Sequence, residues 1–500
     1  MNTRDFAGRR VLIMGLGLNG GGLESAVYLA RHGAELTITD LRDETTLGPT
    51  IEKLEAALGD PAARLRYVLG KHETADFEQA DLVIKNPGVR PDSPYLRAAR
   101  HVETDISLFL AVSPARLIAV TGSKGKSGTA SALHWVLDRV RMSADPARAP
   151  ALPGRAWLGG NITLSPLSFL DQLGADDDVV LELSSWQLGD LRGRVNEGGG
   201  PLLKPRCAVI TAIMPDHLDR YADMNAYVAD KRELYRGQDR EDATIAGRDP
   251  WGQSFHAESQ GRPLSYGDDE PAPGQSGGWF AGAGSGVEPG TGLARFYEGP
   301  AGGMAGRLAG KPIEALPARL LVPGGHQKRN LLAAALALLD LGLPADPVRK
   351  GLASFKGIAH RLEFFHEGRG CRFYNDSAAT IPDATAAAVA ALGGQGRLLL
   401  LAGGNEKNLD LEPLIKAAGQ VGELFLLAGT ASDTLSVRLR DRGIPFRGPF
   451  DSMEAAVRAV LERVRPGDIA LLSPGCTSFG MFLNEFDRGT QWKETVRRLA

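Results

Sequence analysis

The stretch Leu117-Ile118-Ala119-Val120-Thr121-Gly122-Ser123-Lys124-Gly125-Lys126-Ser127 decides how the chain is read. An apolar, β-type run enters a glycine- and lysine-rich turn. Behind it Ala132, Leu133, Val136, Leu137 and Val140 recur at helical spacing. Strand, turn and helix in that order form a polyphosphate cradle, because backbone N–H groups of the turn and the positive end of the helix macrodipole face the anion. Gly122, Ser123, Lys124, Gly125, Lys126, Ser127 and Gly128 are the candidate phosphate residues. Lys126 is placed to reach the β- and γ-phosphates, and the Ser127 hydroxyl to be a ligand of Mg²⁺. Val120 stands where G-x-x-x-x-G-K-[ST] has its first glycine, so the shorter T-G-x-x-G-K-S form is the one present.

Five hundred residues exceed what one hydrophobic core organises, so several domains are expected. Lys and Arg total 57 against 60 Asp and Glu, a net charge of -3, which argues against a nucleic-acid or membrane-surface partner. Cys207, Cys371 and Cys476 lie far apart, with neither metal-ligand spacing nor a disulfide framework, as suits a reducing compartment. No apolar run follows the charged start Met1-Asn2-Thr3-Arg4-Asp5, and none approaches membrane-spanning length. A cytoplasmic protein without membrane insertion is expected.

Upstream of the phosphate loop, Val11-Leu12-Ile13-Met14 leads into the G-x-G-x-x-G turn Gly15-Leu16-Gly17-Leu18-Asn19-Gly20 and a helix over 23–31. A strand over 35–40 ends in Asp40, at the distance from the glycines where a ribose-binding carboxylate is found. NAD is the default occupant of such a turn, and glycines serving only tight packing are the plainer alternative. Further strands are read at Leu82-Val83-Ile84, ending in Asn86-Pro87-Gly88, and near Val102. The middle block continues with strands at 179–183 and 208–213. From 267 to 311 it becomes rich in Gly, Pro and Ala, a composition that predicts surface loops or an insertion around short strands. A long apolar helix over 330–341 follows. The last block restarts the βα rhythm with strands at 371–374, 397–402, 423–428 and 468–472. The expected fold is α/β in three domains, 1–113, 114–356 and 357–500. Each has a mostly parallel, doubly wound, Rossmann-like sheet, and the central one is of P-loop ATPase type.

Glu182 interrupts an otherwise apolar strand, where a carboxylate is costly unless it meets a cation or metal. Asp216-His217 ends the next strand and can converge with it on the phosphate loop. Taken alone, His217 reads equally as a capping or core histidine, and Lys231 as a solvated helix charge.

The order of motifs resembles the Mur ligase family. The carriers are Thr121-Gly122-x-x-Gly125-Lys126-Ser127, Gly160-Asn161, Glu182-Leu183-Ser184-Ser185-Trp186-Gln187-Leu188 and Asp216-His217-Leu218-Asp219-Arg220-Tyr221. Gly325-His326-x-x-x-Asn330, Ala359-His360-Arg361-Leu362-Glu363 and Asn375-Asp376-Ser377 continue the series. Within the family the strings look like the branch that adds glutamate to UDP-N-acetylmuramoyl-L-alanine.

That resemblance implies an ATP-dependent ligase of peptidoglycan precursor synthesis, and through it a part in cell shape and division. The first block would hold the uridine nucleotide sugar through Leu18, Asn19, Asp40, Arg42 and Gly88, with Asn161, Ser184 and Gln187 approaching the muramoyl part. ATP would be held by the phosphate loop together with Asn330, Arg361 and Asp376. Ser127, Glu182, His217 and Lys231, the last as a carbamate, would hold two Mg²⁺ ions. Lys126, His217 and Lys231 would be the catalytic set, and Thr380, Lys407, Ser478 and Phe479 the glutamate contacts. A monomer handling small molecules only is implied, with closure of the third block near 351–357.

Departures fall at the amino-acid pocket. Asn375-Asp376-Ser377-Ala378-Ala379-Thr380 has Ala378 where the D-glutamate branch has lysine, and Glu485 replaces an expected aromatic; apart from these, Gly128 replaces a threonine within the phosphate loop. Use of L-glutamate therefore stays open. More distant alternatives are a folylpolyglutamate synthase-like ligase, which lacks the uridine-type first block, and a nucleotide-sugar sensor, which has no need of the metal set. An NAD oxidoreductase would leave the phosphate loop unexplained.

Overall fold

The computed structural model describes residues 6–18, 20–59, 65–142, 153–162, 164–297, 310–407 and 409–500, and its strands form three α/β sheets. The first contains β1 (Arg10–Met14), β2 (Glu35–Asp40), β3 (Leu65–Leu69), β4 (Leu82–Lys85) and β5 (Val102–Glu103), all parallel, in the order β3-β2-β1-β4-β5. That order reverses direction between β1 and β4. The loops leaving these two strands, the glycine turn and Asn86-Pro87-Gly88, therefore flank the crevice where doubly wound sheets take ligands. Gly22 lets helix Gly21–Arg31 start close to β1: a Cβ there would lie 2.3 Å from the Leu16 carbonyl oxygen.

The second sheet has β6 (Arg116–Thr121), β7 (Ala156–Gly160), β8 (Asp178–Glu182), β9 (Cys207–Ile210), β10 (Ala243–Gly247), β11 (Arg262–Tyr266), β12 (Gly277–Phe280), β13 (Gly292–Arg295) and β14 (Ile313–Leu316). Its order is β14-β13-β12-β11-β10-β9-β6-β8-β7, parallel from β7 to β12 and antiparallel from β12 to β14. The glycine-rich segment thus carries short strands, one of the two forms its composition predicts. It supplies β12 and β13, and Trp279, Leu293, Ala294 and Phe296 are buried. Backbone pairing at a sheet edge needs few aliphatic side chains, and Gly278 admits Leu332, whose Cδ1 would meet a Cβ there at 2.9 Å. Part of that segment, 298–309, lies outside the described residues.

The third sheet contains β15 (Glu363–Gly368), β16 (Cys371–Asn375), β17 (Leu398–Gly403), β18 (Glu423–Leu427), β19 (Arg447–Phe450) and β20 (Ile469–Leu472), in the order β15-β16-β20-β17-β18-β19. All neighbours are parallel except β15 and β16.

The chain divides into two compact units, 1–318 with 330–352, and 319–329 with 353–500. The first unit holds the first two sheets. The boundary after 352 falls inside the 351–357 stretch expected to act as a hinge. A second crossing at 319–329 had no sequence signal beyond Gly324-Gly325-His326. Within the first unit one apolar core runs from Leu29, Ile106 and Phe109, in the segment carrying the first sheet, to Leu167, Phe169 and Leu170, in the segment carrying the second. Phe109 and Phe169 meet edge to face with centroids 5.9 Å apart. Among the described residues no helix is long and apolar enough to cross a membrane.

Candidate active site

Helix Lys126–Arg141 begins directly after the phosphate loop, with Gly125 in the left-handed region at φ 97°. Two glycines of the loop are required by what lies against them. A Cβ on Gly122 would sit 1.9 Å from Thr211 Oγ1, and one on Gly125 would sit 2.6 Å from Asn330 Nδ2. Asn330, a candidate ATP residue, is therefore packed against the turn itself. The loop is stapled to the chain after β9: Ser123 N donates to Ala212 O (2.8 Å), Ser123 Oγ donates to Met214 O (2.8 Å), and Met214 N donates to Ser123 Oγ (2.9 Å). Lys124 Nζ reaches Asp216 Oδ2 at 3.2 Å.

Two lysines meet at one carbonyl. Lys126 Nζ donates to Gly122 O (3.0 Å) and Ser123 O (3.1 Å), and Lys231 Nζ donates to Gly122 O at 2.9 Å. Lys231 closes helix Met224–Lys231, is 1% exposed, and lies 4.4 Å from the centroid of the Tyr227 ring. Burial, reinforced by the Lys126 charge, brings its pKa down to about 7. A substantial neutral fraction therefore exists near neutral pH, the form in which an amine adds CO₂. The solvated-lysine alternative does not fit this burial.

Glu182 ends β8, in register with Val120 on β6 and Gly160 on β7. Asn161 Nδ2 donates to Glu182 Oε1 at 2.9 Å, while Oε2 is buried without a hydrogen-bond partner among the described residues. An orphaned buried carboxylate oxygen beside a phosphate loop suits a hard divalent cation. No group of three or more His, Cys, Asp and Glu able to hold a metal occurs among the described residues. An ion held at Glu182 would thus take most of its remaining ligands from phosphate oxygens, a hydroxyl such as that of Ser127, and water. That composition fits Mg²⁺, which keeps several non-protein ligands. His217 adopts φ 54°, its ring 5.0 Å from that of Trp186.

A cleft of about 420 Å³ joins these groups to the first domain. Of the residues singled out from sequence it is lined by Gly88, Lys126, Asn161, Ser184, Gln187, His217 and Lys231. Ser184 and Gln187 also form a capping box at the start of helix Ser185–Asp190, with Gln187 N donating to Ser184 Oγ at 3.2 Å. Asp40 and Arg42 do not line the cleft. The Asp40 carboxylate accepts from Gly17 N (3.1 Å) and Arg42 N (3.0 Å), bracing the glycine turn, and Leu18 is exposed. Asn19 lies outside the described residues. Sequence reading missed Asp105, Ser165, Trp186 and Tyr227, which also line the cleft. Trp186 and Tyr227 stood inside quoted motifs, whereas Asp105 and Ser165 carried no signal of their own.

In the second unit the loops leaving β16, β17 and β20 are stitched together. Asn405 N donates to Thr477 O and Thr477 N to Asn405 O, both at 3.1 Å, and Asn405 Nδ2 donates to Phe479 O. Fully buried Arg488 donates to Ser377 Oγ (3.0 Å), Ser377 O (2.9 Å) and Cys476 O (3.1 Å). On this frame Lys407 Nζ donates to Thr380 Oγ1 at 3.3 Å, so two of the four candidate glutamate contacts meet. Ser478 is buried and Phe479 is 63% exposed.

Arg361 is exposed, between His360 and Leu362, which both have positive φ (62° and 44°). Asp376 accepts from Ser473 Oγ (2.7 Å) and Leu362 N (3.1 Å), and burial raises its pKa to about 6. Between the ordinary carboxylate range and pH 6 the native state binds more protons than the unfolded one, so stability falls as pH rises through that window. Asp376→Asn should therefore raise Tm at pH 8, by at most about 3 kcal/mol of stability, and give no gain at pH 4. Thermal melts at the two pH values check this. Equal shifts at both would remove the charge from the explanation.

Three family descriptions match this geometry in order: "Mur ligase MurD-like, N-terminal domain" over residues 9–107, "Mur ligase middle domain" over 120–338, and "Mur ligase, glutamate ligase domain" over 360–476. The chain belongs to the Mur ligase family. Similar curated proteins include several named UDP-N-acetylmuramoylalanine--D-glutamate ligase. That of Treponema pallidum is 39% identical, covering 98% of both chains; that of Roseiflexus is 37% identical, covering 98% of this chain and 99% of its own. The Borreliella afzelii protein is 36% identical over the full length of both. Among solved structures, the UDP-N-acetylmuramate-alanine ligase MurC of Thermotoga maritima shares the fold with a TM-score of 0.53 at 17% identity, covering 98% of this chain and 100% of its own.

Proposed function

We propose that this chain is the ATP-dependent ligase that joins D-glutamate to UDP-N-acetylmuramoyl-L-alanine. The observation carrying this reading is the single cleft on which Lys126, Lys231 and Asn161 converge, with the Gly88 loop of a nucleotide-binding domain as its opposite wall. The three domains are read as 1–113 for the nucleotide sugar, 114–356 for ATP and 357–500 for glutamate.

The substrate carboxylate attacks the γ-phosphate of ATP, giving an acyl phosphate and ADP. The glutamate amine then displaces inorganic phosphate and loses a proton. Lys126 and the backbone N–H groups of 122–127 spread the negative charge of phosphoryl transfer, the main electrostatic lever in such reactions. Bound Mg²⁺, with Glu182, His217, Ser127 and carbamylated Lys231 as its protein ligands, would add Lewis-acid polarisation of the phosphate oxygens. Asn161 orients Glu182 and faces the muramoyl part. Asn330, Arg361 and Asp376 are read as adenine, phosphate and ribose contacts. Leu18, Asn19, Asp40 and Arg42 would surround the uridine, Asp40 by shaping the glycine turn. The protein is read as a cytoplasmic monomer.

Phosphate release measured with ATP, UDP-N-acetylmuramoyl-L-alanine and each glutamate enantiomer tests the reading. Turnover with D-glutamate supports it. Turnover with L-glutamate alone would assign the Ala378 departure to an altered stereochemistry. Lys407 is the cation for the glutamate side chain. Lys407→Ala should raise the glutamate KM roughly tenfold or more, since a charge-assisted hydrogen bond contributes about 1.5–3 kcal/mol. Binding of both nucleotides should be unchanged by calorimetry. An unaltered glutamate KM would move the amino-acid site elsewhere.

A further inference from the structure

Lys85 and Asp190 form a buried ion pair that no part of the chemistry above uses. Lys85 Nζ lies 2.7 Å from Asp190 Oδ2, the side chains are 4% and 6% exposed, and Lys85 Nζ also donates to Val89 O at 3.0 Å. Burial lowers the lysine pKa and raises that of the aspartate, so both groups are held out of water at a cost that their contact, the Val89 carbonyl and, for Asp190, the nearby Arg194 and Arg220 charges offset.

Their placement is what gives the pair a task. Lys85 is the last residue of β4, immediately before Asn86-Pro87-Gly88, one wall of the cleft. Asp190 ends the helix Ser185–Asp190 whose first turn, with Trp186 and Gln187, is the facing wall. A second tie runs alongside: Arg194 donates to Glu103 Oε2 (2.5 Å) and Val102 O (2.7 Å) on β5, and to Asp190 O (2.7 Å). Elsewhere the segments carrying the first and second sheets meet through the apolar contact of Phe109 and its neighbours with Phe169, and at the more exposed pair His32 and Asp171, 3.2 Å apart. Apolar burial is non-directional and tolerates sliding, whereas an ion pair at 2.7 Å, flanked by the Arg194 hydrogen bonds, fixes the distance between the elements it joins.

We propose that Lys85 and Asp190 are positioning residues that set the spacing between the two walls of the nucleotide-sugar cleft, and with it affinity for the nucleotide sugar but not for ATP. This rests on the reading that the cleft takes UDP-N-acetylmuramoyl-L-alanine.

The test compares Asp190→Glu, which keeps the charge and moves it by one methylene, with the double variant Lys85→Met/Asp190→Leu, which removes both charges and keeps the volume. Misplacement of a bound group by about 1 Å costs up to about a hundredfold. On that scale both variants should raise the KM for UDP-N-acetylmuramoyl-L-alanine on the order of tenfold, leaving the ATP KM and the near-UV circular dichroism spectrum those of the native enzyme. A merely structural pair would lower Tm without separating the two KM values. Unchanged nucleotide-sugar KM in folded Asp190→Glu overturns the proposal. If the double variant does not fold, Asp190→Glu decides alone. Calorimetric binding of UDP-N-acetylmuramoyl-L-alanine to the native protein is the control. Its absence there sinks the cleft assignment itself, whereas equal binding by native and variant proteins sinks only the positioning role.

Discussion

Replacing Lys126 with alanine will lower kcat on the order of 10²-fold or more, with a circular dichroism spectrum like that of the native protein. On the proposed reading the ammonium group would face the transferring phosphoryl group, and its effect would grow as negative charge develops on the phosphate oxygens. The fold does not depend on it, because the loop is held by Ser123, Ala212 and Met214 and by the packing of Asn330 on Gly125. Loss of Lys126 also removes the neighbouring charge that helps depress the Lys231 pKa, so that pKa will rise in the variant. Single-turnover phosphate release gives the rate and chemical labelling of Lys231 against pH gives the second readout. A near-native kcat would remove the loop from the chemistry.

Glu182→Gln will shift the Mg²⁺ concentration needed for half-maximal activity upward by about 10- to 100-fold. The substitution is isosteric, and the glutamine oxygen can still accept from Asn161 Nδ2, so the contact seen at Glu182 Oε1 survives. What disappears is the negative charge that the unpartnered Oε2 offers. With no metal bound, removal of an unpaired buried charge will leave Tm equal to or above that of the native protein. Activity titrated against Mg²⁺, with melts recorded in chelator, separates the two effects. An unchanged Mg²⁺ titration together with a lowered Tm would make Glu182 a structural residue.

Much of the architecture was legible in local pattern. The strand-turn-helix sequence at Leu117 to Val140 and the glycine turn after Met14 both form as read. Their apolar periodicity and positive-φ glycines leave the backbone few alternatives. For the glycine-rich segment the pattern left loops and short strands as alternatives, because β12 and β13 draw on pairing with a sheet edge rather than on their own side chains. Asp105 and Ser165 were missed for a related reason: cleft-lining residues on separate elements share no spacing rule.

At the site, the sequence by itself determined the chemical inventory: a phosphate loop with Lys126, a carboxylate at Glu182, Asp216-His217, a lysine at 231, and Lys407 with Thr380 in the last block. It could name Lys231, Lys407 and Thr380 only by resemblance, since a lone lysine or threonine looks like any other. Tertiary structure decided what Lys231 is. Enclosure beside Tyr227, with a second ammonium on the same Gly122 carbonyl, makes an amine of pKa about 7 out of an ordinary side chain. It likewise decided that Glu182 Oε2 has no partner, that Asp40 braces a turn, and that Lys85 faces Asp190. Burial, dielectric environment and the convergence of groups far apart in the chain exist only once the sheets are packed, and these properties turn a list of polar residues into a site.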